Sequence, residues 1–276
     1  MTPPISVMIP AHNEAGYIDR CLLAVLASDG VTAQVVVVAN GCRDDTAARA
    51  RAHASAFAAK GWGFEVLDLQ QAGKPGALNT GDSVATHGMR AYLDADVTVS
   101  PQLLAQIARA LSGSGARYAS GRPVVARAGS AVTRAYARFW TGLPFVTRGV
   151  PGFGIYAVNA EGRARWGAFP KIISDDTFAR LSFTPDERHL VNATYEWPMV
   201  EGFARLVRVR RRQDQGVAEL ARLYPELMAN EGANRPGNGW LLRQALRDPV
   251  SFATYAAVSV AVRLRRNAQS GWVRGR

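Results

Sequence analysis

Short β-branched runs alternate with helical patterns over residues 1–110, and no other feature of this chain constrains its fold as strongly. Runs at residues 5–9, 34–38, 64–69 and 89–93 are typical of buried strands, and between them apolar side chains recur every three or four positions. Strands that alternate with helices form parallel sheets covered by helices on both faces. We therefore predict an α/β fold with a Rossmann-type, mostly parallel sheet flanked by helices.

The second half of the chain is more mixed. Strands are predicted at residues 117–125, 154–158 and 191–197, and helices at 131–140, 174–181 and 200–212. After Gly216 the pattern indicates helices separated by a loop rich in Gly, Asn and Pro at residues 230–239. We divide the chain into segments 1–110, 111–215 and 216–276, the last being a helical, basic C-terminal extension.

Composition excludes several classes of protein. Of the 276 residues, 48% are hydrophobic and 20% charged, which is enough to bury an ordinary core. No apolar run approaches the roughly 20 residues that span a bilayer. Cys21 and Cys42 form no secreted-type disulfide framework and the N-terminus lacks the basic region of a signal peptide, so we expect a cytoplasmic protein.

The net charge of +11 is concentrated near the C-terminus. Residues 202–276 contain 14 Arg and five acidic residues. This asymmetry indicates an anionic partner, which is a nucleic acid, a membrane face or a phosphate-bearing acceptor, unless the tail is simply solvated. Nucleic acid is disfavoured, since no stacking aromatic residues or known nucleic-acid-binding signature accompany the Arg cluster at 208–212.

An uncharged stretch at residues 249–262 precedes Arg263, Arg265 and Arg266. It is too short to span a bilayer but suits an interfacial helix, and packing against the core is the alternative. The first interpretation places the protein at the inner face of the plasma membrane.

Polar residues follow each of the first four predicted strands, where parallel sheets bind ligands. Asp94 and Asp96, two residues apart on one loop, can hold a divalent cation through carboxylate oxygens, or one can cap the next helix while the other is solvated. Lys74, in a Gly-flanked loop at a helix start, can contact a phosphate or a base carbonyl. His12 can stack on a base and Glu14 can accept from a ribose hydroxyl, although both can simply belong to a helix N-terminus.

Two further groups lie in the second half. Asp175 and Asp176 are adjacent carboxylates at a helix start, and their repulsion raises one pKa, which suits a base that deprotonates a hydroxyl; capping together with Ser174 is the alternative. Gly152 and Gly154 indicate either a close backbone approach to a ligand or an ordinary turn.

The order of these motifs resembles the family 2 glycosyltransferases over residues 5 to about 215. The matching segments are VMIPAHNE (7–14), NGCRDDT (40–46), GKPGALN (73–79), DAD (94–96) and the acidic pair 175–176. The resemblance implies a GT-A fold that transfers a sugar from a nucleotide diphosphate with inversion. Segment 1–110 then binds the nucleotide sugar, and segment 111–215 binds the acceptor.

The resemblance also assigns roles. It implies that His12, Glu14 and Lys74 contact the nucleotide and Asp94 the ribose, and it makes Asp176, beside Asp175, the catalytic base. It makes Asp96 the ligand of Mn²⁺ or Mg²⁺. It further implies a UDP-, GDP- or dTDP-sugar as the donor, and as the acceptor a saccharide or lipid-linked molecule in cell-surface polysaccharide or glycolipid synthesis.

Two departures modify this interpretation. Many relatives carry Asp-Asp where this chain has Ala39-Asn40, so base recognition rests on the Asn40 amide. The QxxRW signature of processive synthases is missing, so we expect transfer of a single sugar. A sugar-phosphate nucleotidyltransferase and a non-catalytic sugar-nucleotide-binding protein are the alternatives; the first requires a Gly-rich, Arg-containing loop after the first strand, where AHNE stands at 11–14.

Overall fold

A computed structural model describes residues 2–71, 73–232 and 236–264 of the chain, and in these residues it contains one eight-stranded sheet. The strands are β1 (Ile5–Ala11), β2 (Ala33–Asn40), β3 (Gly63–Leu69), β4 (Met89–Leu93), β5 (Thr98–Val99), β6 (Tyr118–Val125), β7 (Ile155–Val158) and β8 (Arg188–Trp197). Their order across the sheet is β3-β2-β1-β4-β7-β6-β8-β5.

Twelve α-helices lie in the described part of the chain, together with 3₁₀ turns at Pro185–Glu187 and Pro225–Asn230. The helices are α1 (Ile18–Leu26), α2 (Thr46–Arg51), α3 (Ala54–Ala59), α4 (Lys74–Val84), α5 (Leu103–Leu111), α6 (Ala131–Thr141), α7 (Pro144–Thr147), α8 (Ala160–Arg163), α9 (Asp175–Leu181), α10 (Phe203–Leu223), α11 (Asn238–Arg247) and α12 (Pro249–Leu264).

The first four strands form the predicted parallel sheet. β1 lies between β2 and β4 and is parallel to both, and β2 is parallel to β3. The second half adds antiparallel pairs, with β7 against β4 and β6 and with β5 against β8. The α/β class predicted from the strand and helix pattern is therefore confirmed.

The sheet is apolar on both faces because helices cover both. On one face Val7 and Ile9 of β1 pack in a cluster with Ile18 and Leu22 of α1. On the other face Val36 and Val38 of β2 pack with Ala77 of α4. Strands buried on both faces read as continuous apolar runs, which is why β1 and β2 were recognisable in the sequence.

The sequence pattern predicts that the first helix starts near Glu14 with Asn13 as its N-cap, and this prediction is wrong. α1 begins at Ile18 rather than near Glu14, after a turn in which the Tyr17 and Ile18 amides donate to the Glu14 carbonyl. Asn13 is not its cap: the residue has a φ of 53°, and its side chain accepts from the Arg43 amide at 2.6 Å. Asn tolerates this left-handed backbone, so Asn13 joins two loops instead of starting a helix.

The predicted end of the long helix near residue 212 is also wrong, because α10 continues to Leu223. Gly216 is buried within it, and an added Cβ would overlap the Ser174 side chain and lie 3.0 Å from Ile173. Glycine costs about 1 kcal/mol in a helix. Here the missing side chain allows the helix to approach residues 173 and 174 closely.

The chain divides into two compact units, each composed of separate stretches of sequence. The first unit comprises residues 1–124, 152–171 and 175–197, and the second comprises 125–151, 172–174 and 198–276. The division of the chain at residues 110 and 215 remains a prediction.

In the second unit, α12 packs one face against α6. The Phe139 ring of α6 lies 5.8 Å from the Phe252 ring and 4.5 Å from that of Tyr255, both on α12. Val260 and Leu264 remain exposed on other faces of α12. Among the described residues, no helix combines the length and apolar character needed to cross a bilayer.

Candidate active site

The ten residues predicted to form the site all belong to the first unit. His12, Asn40, Lys74 and Asp94 follow the carboxyl ends of β1, β2, β3 and β4 in turn. Because parallel strands end at the same edge of a sheet, these four loops lie side by side. Asp175 and Asp176 begin α9.

Lys74 joins two of the predicted carboxylates. Its Nζ lies 2.9 Å from Asp94 Oδ1 and 3.2 Å from Asp175 Oδ2. The Asp175 side chain is 5% exposed, whereas those of Lys74 and Asp94 are about one-third exposed. The structure thus places residues 74, 94 and 175, which are far apart in sequence, in one charged cluster.

The charges in this cluster depend on one another. Burial lowers the pKa of Lys74, but the Asp175 and Asp94 carboxylates outweigh it and raise the pKa above its ordinary value, so the ammonium group stays charged. Burial, the strongest influence on Asp175, raises its pKa to about 6 against the lowering effect of Lys74, and Asp176 and Asp94 raise it further. A buried carboxyl group whose pKa is raised above its ordinary value is typical of a catalytic site.

A small cleft opens beside this cluster. Five of the predicted residues line it, namely Lys74, Asp94, Gly152, Gly154 and Asp176. Pro10, Leu78, Tyr92, Leu93 and Tyr156 complete the lining. Of the acidic pair, Asp176 therefore faces the cleft, while Asp175 is held by Lys74.

His12 and Asn40 form a separate network at the ends of β1 and β2. The His12 Nδ1–H donates to the Asn40 backbone carbonyl at 2.7 Å, and the Asn13 side-chain amide Nδ2 donates to His12 Nε2 at 3.2 Å. With both ring nitrogens engaged, the flat face of the imidazole is what remains for a ligand. Glu14 is half-buried in the turn before α1, and its backbone amide donates to the Thr46 hydroxyl at 2.7 Å.

The Asn40 side chain is buried and is used within the protein. Its Nδ2 donates to the Ala11 carbonyl at 2.8 Å, and its Oδ1 accepts from the Gly73 amide at 3.0 Å. Asn40 thus connects the end of β1 to the loop that carries Lys74. An aspartate could accept from Gly73 but could not donate to Ala11.

The loop containing Gly152 and Gly154 requires glycine at both positions. Their φ angles are +71° and +78°, in the left-handed region. A Cβ at Gly152 would overlap the Tyr118 hydroxyl, and one at Gly154 would lie within 3.1 Å of Tyr195. The Gly154 carbonyl accepts from the Asp94 amide at 2.8 Å, which fixes the loop beside the cluster.

Asp96 is half-buried in the turn between β4 and β5. Carboxylate oxygen is the ligand that Mn²⁺ and Mg²⁺ prefer. Within the residues that the structure describes, no three His, Cys, Asp or Glu side chains are grouped so that they could hold a metal ion. The donor set fits a cation bound through one or two carboxylates and the phosphates of a substrate, as Mg²⁺ commonly is.

Sequence reasoning missed two tyrosines of the cleft, Tyr92 and Tyr156. They face each other across β4 and β7 with ring centroids 4.9 Å apart. Tyr92 comes two positions before Asp94, and Tyr156 two after Gly154, so the period-2 pattern of each strand places them on the face that leads to the site. That spacing was the available signal.

Comparison with known proteins now identifies the family. Residues 6–170, more than half of the chain, match the family described as Glycosyl transferase family 2. The chain belongs to this family. The family predicted from the order of the motifs is thereby confirmed.

Glycosyltransferase AglE of Haloferax volcanii is similar in sequence, with 34% identity over 122 residues. The match covers 43% of this chain and 39% of AglE, so the chain spans about two-fifths of that relative's length.

Solved structures share the fold of this chain. The mannosyltransferase PcManGT from Pyrobaculum calidifontis, in complex with GDP-Man and Mn²⁺, superposes with a TM-score of 0.63 at 20% identity, covering 97% of this chain and 77% of that one. Glucosyl-3-phosphoglycerate synthase from Mycobacterium tuberculosis, in complex with Mn²⁺, UDP and glucosyl-3-phosphoglycerate, gives 0.54 at 22% identity and covers 80% and 79%. S. aureus TarS 1-349 with UDP gives 0.54 at 14% identity and covers 98% and 94%. The predicted GT-A fold is thereby confirmed.

Proposed function

We propose that this enzyme moves a single sugar from a nucleotide-diphosphate sugar to an acceptor hydroxyl with inversion, in the synthesis of a cell-surface polysaccharide or glycolipid. The observation that carries the proposal is the cleft in which Asp176 lies beside the Lys74, Asp94 and Asp175 cluster. It provides a carboxylate that lines the cleft and a charged amine close to it. Family membership favours this reaction over that of a nucleotidyltransferase.

The nucleotide binds across the ends of the parallel strands in this proposal. The His12 face stacks on the base, Glu14 and Asp94 accept from the base or ribose, and the Lys74 ammonium attracts the diphosphate. Asn40 acts indirectly, since its amide is engaged with Ala11 and Gly73. GDP- and UDP-sugars are the first donors to test because the solved relatives were crystallised with GDP-Man or UDP.

Asp176 is the proposed base. Its carboxylate takes the proton of the acceptor hydroxyl, whose oxygen forms the new bond to the anomeric carbon on the face opposite the diphosphate. The bond from that carbon to the diphosphate oxygen breaks at the same time, and the diphosphate leaves with the electron pair. Asp175 is not the proposed base because its side chain is 5% exposed and is paired with Lys74, whereas Asp176 lines the cleft.

Asp96 is the proposed ligand of Mn²⁺ or Mg²⁺. When bound, the cation neutralises charge on the departing diphosphate. The carboxylate of Asp96 and the phosphates of the substrate together supply oxygen ligands of the kind that these ions prefer.

Release of nucleoside diphosphate tests the donor and the metal. We expect one sugar among UDP-, GDP- and dTDP-sugars to be turned over with Mn²⁺ or Mg²⁺, and we expect EDTA to abolish turnover. Asp96→Ala is expected to lower turnover at least a hundredfold, because the ligand that fixes the cation is lost. Turnover that survives both EDTA and Asp96→Ala would remove the metal from the proposal. The anomeric signal of the product in ¹H NMR distinguishes inversion from retention.

We also propose that the second unit contacts an anionic membrane from the cytoplasmic side. α11 and the start of α12 expose Leu242, Leu246 and Val250, which are 63%, 78% and 63% exposed, next to exposed Arg243 and Arg247. We call these five residues the basic-apolar stripe. Such a surface suits binding to an anionic membrane. The apolar side chains enter the boundary between headgroups and acyl chains, and the Arg side chains contact lipid phosphates.

The membrane segment predicted from the sequence was residues 249–262 with the Arg residues that follow. Because one face of α12 packs on α6, this segment exposes less apolar surface than a helix that lies freely in a membrane interface. Arg263 is exposed, and Arg265 and Arg266 lie outside the described residues.

Flotation with phosphatidylglycerol vesicles tests the membrane proposal. We expect the wild type to float with phosphatidylglycerol vesicles. With vesicles of pure phosphatidylcholine, we expect it to stay at the bottom of the gradient. Leu242→Ser/Leu246→Ser is expected to reduce the floated fraction about tenfold, since each exposed Leu side chain contributes on the order of 1 kcal/mol when it is buried in the interface. Leu23→Ser, at an exposed leucine of α1, is the control that should float like the wild type. Equal flotation of all three proteins would refute the role of the stripe.

A further inference from the structure

The short segment that leads into the acidic pair belongs to a different unit from the pair itself. Residues 172–174 group with the second unit, and residues 175–197 group with the first. The boundary therefore falls at the peptide bond between Ser174 and Asp175, directly before the proposed base at position 176. Contacts that hold residues 172–174 thus act on Asp176 through a very short length of chain.

Glu219 of α10 holds this segment by a hydrogen bond. The Ile173 amide donates to Glu219 Oε2 at 2.9 Å. A hydrogen bond to a carboxylate is stronger than one between two neutral groups. Glu219 is half-buried, and a partly buried hydrogen bond is electrostatically stronger than one in open water. The contact is therefore a firm anchor for the backbone at residue 173.

Gly216 brings α10 close to the same segment. It lies three positions before Glu219, so the two residues share one face of the helix. A Cβ at Gly216 would overlap the Ser174 hydroxyl and would lie 3.0 Å from Ile173 Cγ2. The hydrogen bond and the close packing together hold two successive residues of the chain, 173 and 174, against α10.

The distance from this anchor to the base is short. Three residues of chain, from Ile173 to Asp176, span at most about 11 Å. Ile172 and Ser174 are buried, and α9 begins immediately after them at Asp175. A shift of residues 173 and 174 therefore displaces the first turn of α9, and Asp176 with it.

Other contacts hold the side chains of the acidic pair. The Lys74 ammonium lies 3.2 Å from Asp175 Oδ2, and the Thr177 amide donates to Asp176 Oδ1 at 2.7 Å. These contacts fix the neighbour of the base and orient its carboxylate within α9. Glu219 differs from both, because it acts on the backbone that precedes the pair.

We propose that Glu219 is a positioning residue, which holds residues 173 and 174 on α10 so that the Asp176 carboxylate stays within reach of the acceptor hydroxyl. Glu219 neither touches substrate nor takes a proton. The inference rests on the proposed function, because it concerns the base assigned there. Displacing a reacting group by about 1 Å can lower a rate about a hundredfold, so loss of one of several anchors is expected to lower it about tenfold.

The rate of nucleoside diphosphate release, with water as the acceptor, tests this position. With Mn²⁺ and saturating GDP-mannose, UDP-glucose or UDP-GlcNAc, whichever the wild type turns over, Glu219→Ala is expected to lower kcat about tenfold. Its calorimetric Kd for that donor should stay within about twofold of the wild type, because residues 173 and 174 are not among those proposed to bind the nucleotide.

Two matched variants accompany Glu219→Ala. Glu219→Gln keeps a side-chain oxygen that can accept from the Ile173 amide, and it should retain nearly the wild-type kcat. Glu226→Ala, at an exposed glutamate of the second unit, should have no effect.

A double-mutant cycle separates positioning of the base from a general structural role. Asp176→Asn already removes the base, so adding Glu219→Ala should lower the residual rate by less than about twofold. Gly216→Ala perturbs the same segment in a different way and should show the same pattern: a lower kcat on its own, and little further loss beside Asp176→Asn. A full tenfold loss added to that of Asp176→Asn would show that Glu219 acts elsewhere.

The remaining outcomes also overturn the inference. A wild-type kcat for Glu219→Ala refutes it alone, since the contacts of Lys74 and Thr177 would then suffice to position the pair. An equal loss with Glu219→Gln shows that the hydrogen bond is not the cause, and weaker donor binding by Glu219→Ala shows a structural role instead. A wild type that turns over none of the donors refutes the proposed function, and the inference falls with it.

Discussion

Replacing Asp176 with Asn is expected to lower the rate of sugar transfer about a thousandfold, while the affinity for the nucleotide sugar stays within a few-fold of the wild type. The amide keeps the size of the side chain but cannot take a proton, and a positioned general base contributes 10²–10⁴-fold to such a reaction. Because Asp176 lines the cleft and Asp175 is held by Lys74, the loss should be specific to residue 176.

Initial rates of nucleoside diphosphate release and calorimetry with the same donor measure the two quantities. Asp186→Asn, at an exposed aspartate of the same unit, is the control and should retain full activity. A rate for Asp176→Asn within tenfold of the wild type would contradict the assignment of the base. If Asp175→Asn were then the inactive variant, the base would be residue 175.

The second large effect is expected at Lys74. Lys74→Met should destabilise the enzyme by about 2–3 kcal/mol at pH 8, because it leaves the buried Asp175 carboxylate without its cation. Breaking a fully buried pair costs about 3–5 kcal/mol, and the partial exposure of Lys74 reduces the expected cost to the lower limit of that range or slightly below it. Denaturant unfolding measures the difference, and Lys171→Met, at an exposed lysine, is the control.

The effect of Lys74→Met should depend on pH in one direction. The folded-state pKa of Asp175, about 6, lies above its ordinary value of 3.8, so between these values the folded protein holds a proton that the unfolded chain has lost. Stability therefore falls as pH rises through this window. Without Lys74 the pKa is higher and the fall continues above pH 6.

The difference between Lys74→Met and the wild type should accordingly be smaller at pH 5 than at pH 8. Lys74→Met/Asp175→Asn should recover much of the lost stability at pH 8, since no carboxylate is then left unpaired at position 175. An equal loss at pH 5 and pH 8 would show that the Lys74–Asp175 pair is not its source.

Strands of the sheet were predictable where burial on both faces determines the sequence pattern. β1 and β2 appear as apolar runs because helices cover both faces of the sheet. The start of α1 was not predictable in the same way. Asn13 satisfies the general preference for an N-cap, but its side chain contacts Arg43 in a loop 30 positions away, and local rules do not include such contacts.

The candidate site likewise contains residues that the sequence identified and residues that only the structure identified. Lys74, Asp94 and Asp176 lie in motifs that mark them in the linear sequence, and the structure places all three on the cleft. The role of Asn40 as a connection between loops, and the position of Tyr156, depend on strand pairing across the sheet. Pairing between distant strands is set by tertiary packing, so residues that act through it are identified only from the fold.

The interleaving of the two compact units imposes an order on synthesis at the ribosome. β5, at residues 98–99, pairs with β8 at residues 195–196, and part of the second unit, residues 125–151, is translated between them. Nascent chains fold from the N-terminus as they emerge. The first unit therefore cannot complete its sheet until nearly 200 residues have left the exit tunnel, and a chain truncated before β8 would expose the edge of β5 to other nascent chains. Expression of the first unit alone consequently requires a redesigned connection, because no single cut separates it from the second.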